Sequence, residues 1–218
     1  MANIQVYHFI GSPPSQAVIM TAKTLGVPLE LKRLDFMKKE HLQPEFTKIN
    51  PDQTVPTMID EDFILWESRT IMRYLVGKFG GEDNSLYPRD LQKRAEVDRL
   101  LDYDLGVFYK TLIEGVWLPF KDRTPKTKEQ EEKVTKVLSR FDTLLKDKKF
   151  LTGDNLTIAD FSMVVGFIVE LVYEGDKSKF PNAMAWYKRM QEETCFKETY
   201  DTIKDFVEMM KKQHAEMP

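Results

Sequence analysis

The chain has 218 residues, enough for one large domain or two modest ones with buried cores. Hydrophobic residues make up 42% and charged residues 31%, which excludes a disordered or membrane-embedded class. A net charge of −3 with both signs mixed offers no footprint for nucleic acid or an anionic membrane, and a single cysteine, Cys195, excludes an intramolecular disulfide or a cysteine-based metal cluster. That cysteine usage fits a reducing compartment. No basic stretch leads into a long apolar one at the N-terminus, so the expected location is the cytoplasm.

Residues 4–9 are dominated by apolar and β-forming types and break at Gly11-Ser12-Pro13-Pro14, which reads as a strand ending in a turn. Ala17, Val18, Ile19, Ala22 and Leu25 then recur near helical spacing up to Gly26, a natural helix stop, with Pro28 beyond. Residues 29–34 alternate apolar and charged and predict a second strand, completing a βαβ start. A polar, irregular stretch covers 35–50. Residues 55–59 and 63–66 flank the acidic Asp60-Glu61-Asp62 turn and read as a hairpin. Ser68 can then cap a helix running to about Phe79, where Gly80-Gly81 ends it.

The segment 82–90 is polar, contains Pro88, and reads as a linker between a domain at 1–81 and a domain at 91–218. Beyond it strand signals largely vanish. Residues 91–117, 126–145, 158–173, 183–193 and 200–213 carry apolar residues at three-to-four spacing, so the second domain is a helical bundle. The fold class is therefore α/β followed by all-α.

Three local motifs could carry chemistry. The hydroxyl of Ser12 lies beside the start of the first helix, where unpaired N–H groups and the helix dipole favour an anion such as a thiolate. Taken alone, Ser12 is more often a plain cap or turn residue. The loop Asn50-Pro51-Asp52-Gln53-Thr54-Val55-Pro56 enters a strand at an X-Pro bond. If that bond is cis, the main-chain N–H and C=O of Val55 are open to an extended peptide, although trans is the commoner state. Glu67-Ser68-Arg69 opens a helix whose free N–H groups can hold a carboxylate, although taken alone it is more often an ordinary serine cap. Thr157 and Asp160 have capping-box spacing and read as structural. His8, His41 and His214 are too scattered to point to a metal site or a catalytic triad, Tyr7 reads as a packing residue of the first strand, and Cys195 reads as an incidental thiol.

The order of these pieces resembles the cytosolic glutathione S-transferase family, the insect delta class most closely, with the related epsilon class beside it. The segments that carry the resemblance are Gly11-Ser12-Pro13-Pro14 before Ala17-Val18, Glu40-His41-Leu42-Gln43-Pro44-Glu45-Phe46, Asn50 to Pro56, Trp66-Glu67-Ser68-Arg69, Ser85-Leu86-Tyr87-Pro88 and Leu156-Thr157-Ile158-Ala159-Asp160-Phe161. The resemblance implies a thioredoxin-like N-terminal domain, a helical C-terminal domain, a homodimer and glutathione as co-substrate, with no metal. It implies that the Ser12 hydroxyl donates a hydrogen bond to the glutathione sulfur and stabilises thiolate over thiol. It further implies that Val55 pairs with the cysteinyl part beside Thr54 and a cis Pro56, that Glu67, Ser68 and Arg69 hold the γ-glutamyl end, and that His41 and Gln53 face the glycyl carboxylate. Gln53 departs from the delta pattern, which usually has histidine there; glutamine donates a hydrogen bond but carries no charge. Asp52 beside it adds negative charge near an anionic ligand.

By pattern alone the aromatic stripe Tyr103, Phe108, Tyr109, Trp117 and Phe120 is more often core, but the resemblance implies a pocket for hydrophobic electrophiles with Ile10 and Pro14 on one side and Tyr103, Phe108, Tyr109, Trp117, Phe120 and Phe206 on the other. The rival to a transferase is a carrier of glutathione and hydrophobic ligands with the same fold and no activated thiol. Retention of Ser12 favours the enzyme. The absence of cysteine from residues 1–194 argues against a third reading, a redox protein working through mixed disulfides.

Overall fold

The computed structural model describes residues 4–170 and 176–215. The chain forms two compact units, Met1–Asn84 and Ser85–Pro218, divided inside the polar 82–90 stretch.

The first unit runs β1 (Ile4–His8), α1 (Pro13–Thr24), β2 (Leu29–Arg33), a single 3-10 turn (Glu40–Leu42), α2 (Pro44–Thr47), β3 (Thr57–Asp60), β4 (Phe63–Trp66) and α3 (Ser68–Phe79). The sheet order is β2-β1-β3-β4, with β1 parallel to β2 and antiparallel to β3, and β4 antiparallel to β3. This small mixed sheet with its helices is the thioredoxin-like arrangement. Ile4, Val6 and Met58 of the strands, Val18 and Ala22 of α1, and Ile71, Met72 and Leu75 of α3 have no exposed surface and make the core. Tyr7, on the opposite side of the β1 pleat from Val6, meets the ring of Phe46 in α2 at 5.4 Å.

The 35–50 stretch, expected to be irregular, holds the 3-10 turn and α2. The Asp35 carboxylate accepts from the amides of Met37 and Lys38 at 2.9 and 3.2 Å, and Glu40 accepts from the Asp35 amide at 2.7 Å. Single turns built on such local bonds are too short to leave a periodic signature. The cap of α3 is Glu67, at φ 71°, rather than Ser68, which is already the first helical residue.

At the end of β3, Asp60 is 3% exposed and accepts hydrogen bonds from Tyr74 Oη at 2.6 Å and Lys78 Nζ at 2.5 Å, both on α3. Burial pushes the Asp60 carboxyl up, but the bonds from Lys78 and Tyr74 and the Lys78 charge outweigh it, and its pKa lies below the usual range. The Lys78 ammonium is held above its ordinary value, chiefly by the bond to Asp60. A depressed carboxyl contributes stability that is complete above its unfolded pKa, about 4, and is lost as pH falls through the folded value. Asp60→Asn is therefore expected to shrink the loss of melting temperature that wild type suffers below about pH 4. Thermal melts across the acid range check this, and an unchanged acid slope would remove Asp60 from the account.

The second unit runs α4 (Leu91–Tyr103), a π-helical turn (Asp104–Phe108), α5 (Tyr109–Leu112), a second π turn (Ile113–Trp117), α6 (Leu118–Asp122), α7 (Lys128–Leu144), α8 (Ile158–Glu170), a 3-10 turn (Lys177–Lys179), α9 (Pro181–Glu192) and α10 (Thr194–Ala215). Its core is aromatic. Phe141 lies 4.7 Å from Phe108 and meets Trp186 edge-on at 5.1 Å, and Phe167 meets Trp186 edge-on at 6.0 Å. The expected single helix over 91–117 is interrupted by the two π turns and continues to Asp122. Pro119 supplies no N–H, and its ring would crowd the carbonyl of Gly115 in a regular helix; the wide turn just before it relieves that crowding. Gly115 is required because a Cβ there would meet Val134 Cγ2 of α7 at 2.4 Å. The last three positions of the helix expected over 158–173 lie outside the described residues. Helix α10 begins at Thr194, six positions before the expected start, and buries Cys195, Phe196 and Thr199 in its first two turns.

The Thr157–Asp160 pair does close the start of α8, with its roles rearranged. The Asp160 carboxylate accepts from both the amide and the hydroxyl of Thr157, each at 3.0 Å, and the hydroxyl acts as a donor. Among the described residues, no helix is long and apolar enough to cross a membrane.

Candidate functional site

Strand register decides which loops meet. Tyr7 of β1 lies opposite Thr57 of β3, Thr57 lies opposite Trp66 of β4, and His8 pairs with Arg33 of β2. The ends of β1, β2 and β4 and the beginning of β3 thus share one end of the sheet. From that end leave the 9–12 turn, the 34–56 loop and the first turn of α3. Ser12, His41, Gln53, Thr54, Val55, Pro56, Glu67, Ser68 and Arg69 all lie on these three segments.

Ser12 is the cap of α1, with φ −88° and ψ 106°. Its amide donates to the Phe9 carbonyl at 3.0 Å, closing the turn, and its Oγ accepts from the Ser15 amide at 3.3 Å. The structure corrects the expectation of unpaired N–H groups here. Pro13 and Pro14 have none, the Ser15 amide is taken by Ser12 Oγ, and the Gln16 amide is taken by the Ser12 carbonyl at 3.2 Å. What the first turn of α1 offers an anion is the helix dipole and the Ser12 O–H, which the cap bond leaves available because the oxygen acts there as acceptor. Accepting that bond also polarises the O–H toward donation.

The 50–56 loop is braced by a residue that sequence reasoning did not single out. Asn50 is fully buried, and its Nδ2 donates to Thr54 O at 3.1 Å, Thr54 Oγ1 at 3.2 Å and Thr57 Oγ1 at 2.8 Å, while its Oδ1 accepts from the Asp52 amide at 2.9 Å. The available signal was the Asn-Pro-Asp turn chemistry. Gln53 is exposed and left-handed, at φ 59°, and the Val55–Pro56 bond is cis. The Asp52 carboxylate, expected only as an unfavourable charge, accepts from the Trp66 indole N–H at 2.8 Å and ties the loop to β4.

His41 lies in the 3-10 turn with its ring stacked on Phe36, centroids 4.0 Å apart and 10° from parallel, and its buried Nδ1 has no partner among the described residues. Glu67 is exposed and makes no side-chain cap bond, so the first turn of α3 lacks the closure that α1 has. Ser68 and Arg69 are buried, with Arg69 Nη1 3.5 Å from Ser68 Oγ. His8, at the end of β1, has its pKa lowered by burial and by the nearby Arg33 charge, which keeps the imidazole neutral at pH 7.

The residues expected to line a pocket differ in their exposure. Ile10 and Pro14 are half-buried on the turn that carries Ser12. In the second unit Trp117 stacks on Phe120 at 5.6 Å, Tyr109 packs over Gly166, and Phe206 is half-buried on α10. Burial pushes the Tyr103 hydroxyl pKa up, and that hydroxyl has no partner among the described residues. Phe108 departs from that expectation: it has no exposed surface and packs on Phe141 in the core of its own unit. Among the described residues no three His, Cys, Asp or Glu side chains cluster to hold a metal ion.

Residues 2–77 match the family model for the glutathione S-transferase N-terminal domain, and residues 108–193 match that for the glutathione S-transferase C-terminal domain. Glutathione S-transferase D7 of Drosophila melanogaster is 40% identical over 190 residues, covering 86% of this chain and 84% of that protein. A delta-class glutathione transferase of Nilaparvata lugens superposes with a TM-score of 0.89 at 35% identity, over 96% of this chain and 99% of that one. An epsilon-class glutathione S-transferase from the housefly, Musca domestica, gives a TM-score of 0.89 at 36% identity, over 97% and 98% of the two chains.

Proposed function

The chain belongs to the glutathione S-transferase family, and from that premise we propose that it conjugates glutathione to hydrophobic electrophiles with Ser12 as the group that activates the thiol. The observation that carries this reading is the saturation of the main-chain N–H groups in the α1 first turn, which leaves the half-buried Ser12 O–H to face a sulfur anion while the Ser15 hydroxyl is fully buried. A hydrogen bond donated to the sulfur favours thiolate over thiol. Each unit by which the thiol pKa falls from about 8.5 is worth about 1.4 kcal/mol of preference for the anion. The thiol proton leaves to solvent, the thiolate attacks the electrophilic carbon, and the leaving group departs with the electron pair of its bond. Ser12 attacks nothing itself, so it needs no histidine or aspartate behind it.

In this reading the main chain of Val55 pairs with the cysteinyl residue of glutathione, Thr54 and Pro56 shape that edge, and the open first turn of α3 with Glu67, Ser68 and Arg69 takes the γ-glutamyl end. His41 and Gln53 face the glycyl carboxylate. The apolar wall comprises Ile10 and Pro14 with Tyr103, Tyr109, Trp117, Phe120 and Phe206. The proposal extends to a homodimer working in the cytoplasm, as the family resemblance implies. A solution mass near that of a single chain would remove the dimer.

The direct test is the ultraviolet absorbance of bound glutathione titrated across pH. A thiol pKa well below that of free glutathione, with turnover of chlorodinitrobenzene, supports the transferase. Binding with an unshifted thiol and no turnover of several electrophiles leaves the carrier reading standing. Gln53→His is expected to lower KM for glutathione about two- to fivefold below the histidine pKa, since it adds a charge-assisted bond to the carboxylate. An unchanged KM would detach position 53 from the glycyl end.

A further inference from the structure

Gln16 lies in the first turn of α1 and is 2% exposed, among the apolar buried residues Ala17, Val18, Ile19 and Met20. Its side chain turns back along the helix, and Nε2 donates to the carbonyl of Ile10 at 2.9 Å. Its main-chain amide donates to the carbonyl of Ser12. One residue therefore grips both ends of the Ile10-Gly11-Ser12 turn, whose middle residue has no Cβ and resists little by itself. The amide is an expensive choice for core filling: Oε1 is buried with no partner among the described residues, and an apolar side chain of similar length would fill the space without that cost. What an apolar side chain could not do is hold Ile10.

We propose that Gln16 is a positioning residue for thiol activation, fixing the turn so that the Ser12 hydroxyl meets the glutathione sulfur. The proposal rests on Ser12 being the thiol-activating group. Gln16 touches neither glutathione nor the electrophile and acts only through the serine. Its effect is therefore on the thiol pKa and on kcat, and the KM for glutathione, set by contacts along the rest of the peptide, stays close to wild type.

The test compares Gln16→Met, which keeps the length and removes the donor, and Gln16→Asn, which keeps the amide but falls short of Ile10, each alone and combined with Ser12→Ala. Thiolate absorbance of bound glutathione gives the thiol pKa, steady-state kinetics separate kcat from KM, and thermal melts follow the fold. The expected result is a thiol pKa raised by about half a unit to one unit and kcat lowered about three- to tenfold near pH 6.5, with KM for glutathione within about twofold. On the Ser12→Ala background neither variant shifts the pKa further, because the path runs through the missing hydroxyl. A lowered melting temperature with an unmoved thiol pKa, or loss of fold in both variants, makes Gln16 a packing residue and overturns the proposal. So does an equal shift with and without Ser12. If Ser12→Ala alone leaves the thiol pKa unchanged, the serine reading itself fails, whereas a shift in Ser12→Ala without one in the Gln16 variants refutes only the role of Gln16.

Discussion

Ser12→Ala is expected to lower kcat/KM for conjugation by about ten- to a hundredfold at neutral pH and to return the thiol of bound glutathione toward its free pKa of about 8.5. The size follows from what is removed. A hydrogen bond to a charged group has a net worth of about 1.5–3 kcal/mol, and each 1.4 kcal/mol is a factor of ten. With Pro13 and Pro14 lacking N–H groups and the next two amides bonded to Ser12 itself, no main-chain donor of the α1 first turn can compensate, and the Ser15 hydroxyl is fully buried. The helix dipole survives the substitution and accounts for residual activity.

The same substitution strips α1 of its cap, which costs about 1 kcal/mol and on the order of 2–4 °C in melting temperature for a chain of this size. Activity could then fall through the fold. Ser12→Asp separates the two effects. An aspartate caps a helix at least as well as serine and suits the positive end of the dipole, so its melting temperature stays at or above wild type. As an anion facing an anion, however, it raises the thiol pKa and abolishes turnover. Full activity in either variant would end the case for the serine.

The N-terminal elements could be read from sequence because each carries its own punctuation: Gly26 after α1, the alternation of β2, and Gly80 after α3. The motif order singled out three segments that the strand register brings to one end of the sheet. What escaped depended on partners distant in sequence or on geometry without a residue signature. The bond from Asp52 to Trp66 spans fourteen positions. Asn50 is an ordinary loop asparagine until its side chain is seen bonded to Thr54 and Thr57. The first turn of α1 looked open because free helix amides are the general rule, whereas here each of its amides is missing or spent. Ser68 was read as a cap on residue type, but capping is decided by φ and ψ, and Glu67 holds the non-helical values. The π turns escaped because a stripe at three-to-four spacing tolerates one extra residue per turn, and Phe108, which the resemblance put in the pocket wall, packs inward on Phe141 as the stripe alone suggested.

Asp160→Ala is expected to cost the helical unit about 3–5 kcal/mol, a drop on the order of 10 °C in melting temperature, without altering the thiol pKa of bound glutathione. Asp160 has no exposed surface. One carboxylate oxygen accepts from the Leu151 amide at 3.0 Å and the Trp186 indole N–H at 2.9 Å, and the other accepts from the amide and hydroxyl of Thr157. It thereby joins the loop before α8, the 150–153 turn and α9. Alanine would leave three buried N–H groups without acceptors, each costing about 1–3 kcal/mol. Asparagine would still present an NH2 to one pair of donors, so Asp160→Asn should recover only part of the loss. Burial pushes the Asp160 carboxyl above the usual range and the four donors pull it back. With its folded pKa raised above the unfolded one, this group does not add to a loss of stability in acid, in contrast to Asp60 with its depressed carboxyl. The readout that separates structure from chemistry is the thiol titration at a temperature where the variant is still folded. Asp160 and Ser12 stand in different units, so the folded fraction of Asp160→Ala should bind glutathione with the wild-type thiol pKa. A variant that melts like wild type would show that the four bonds contribute no net stability. A shifted thiol pKa in the folded variant would show instead that Asp160 reaches the chemistry as well as the fold.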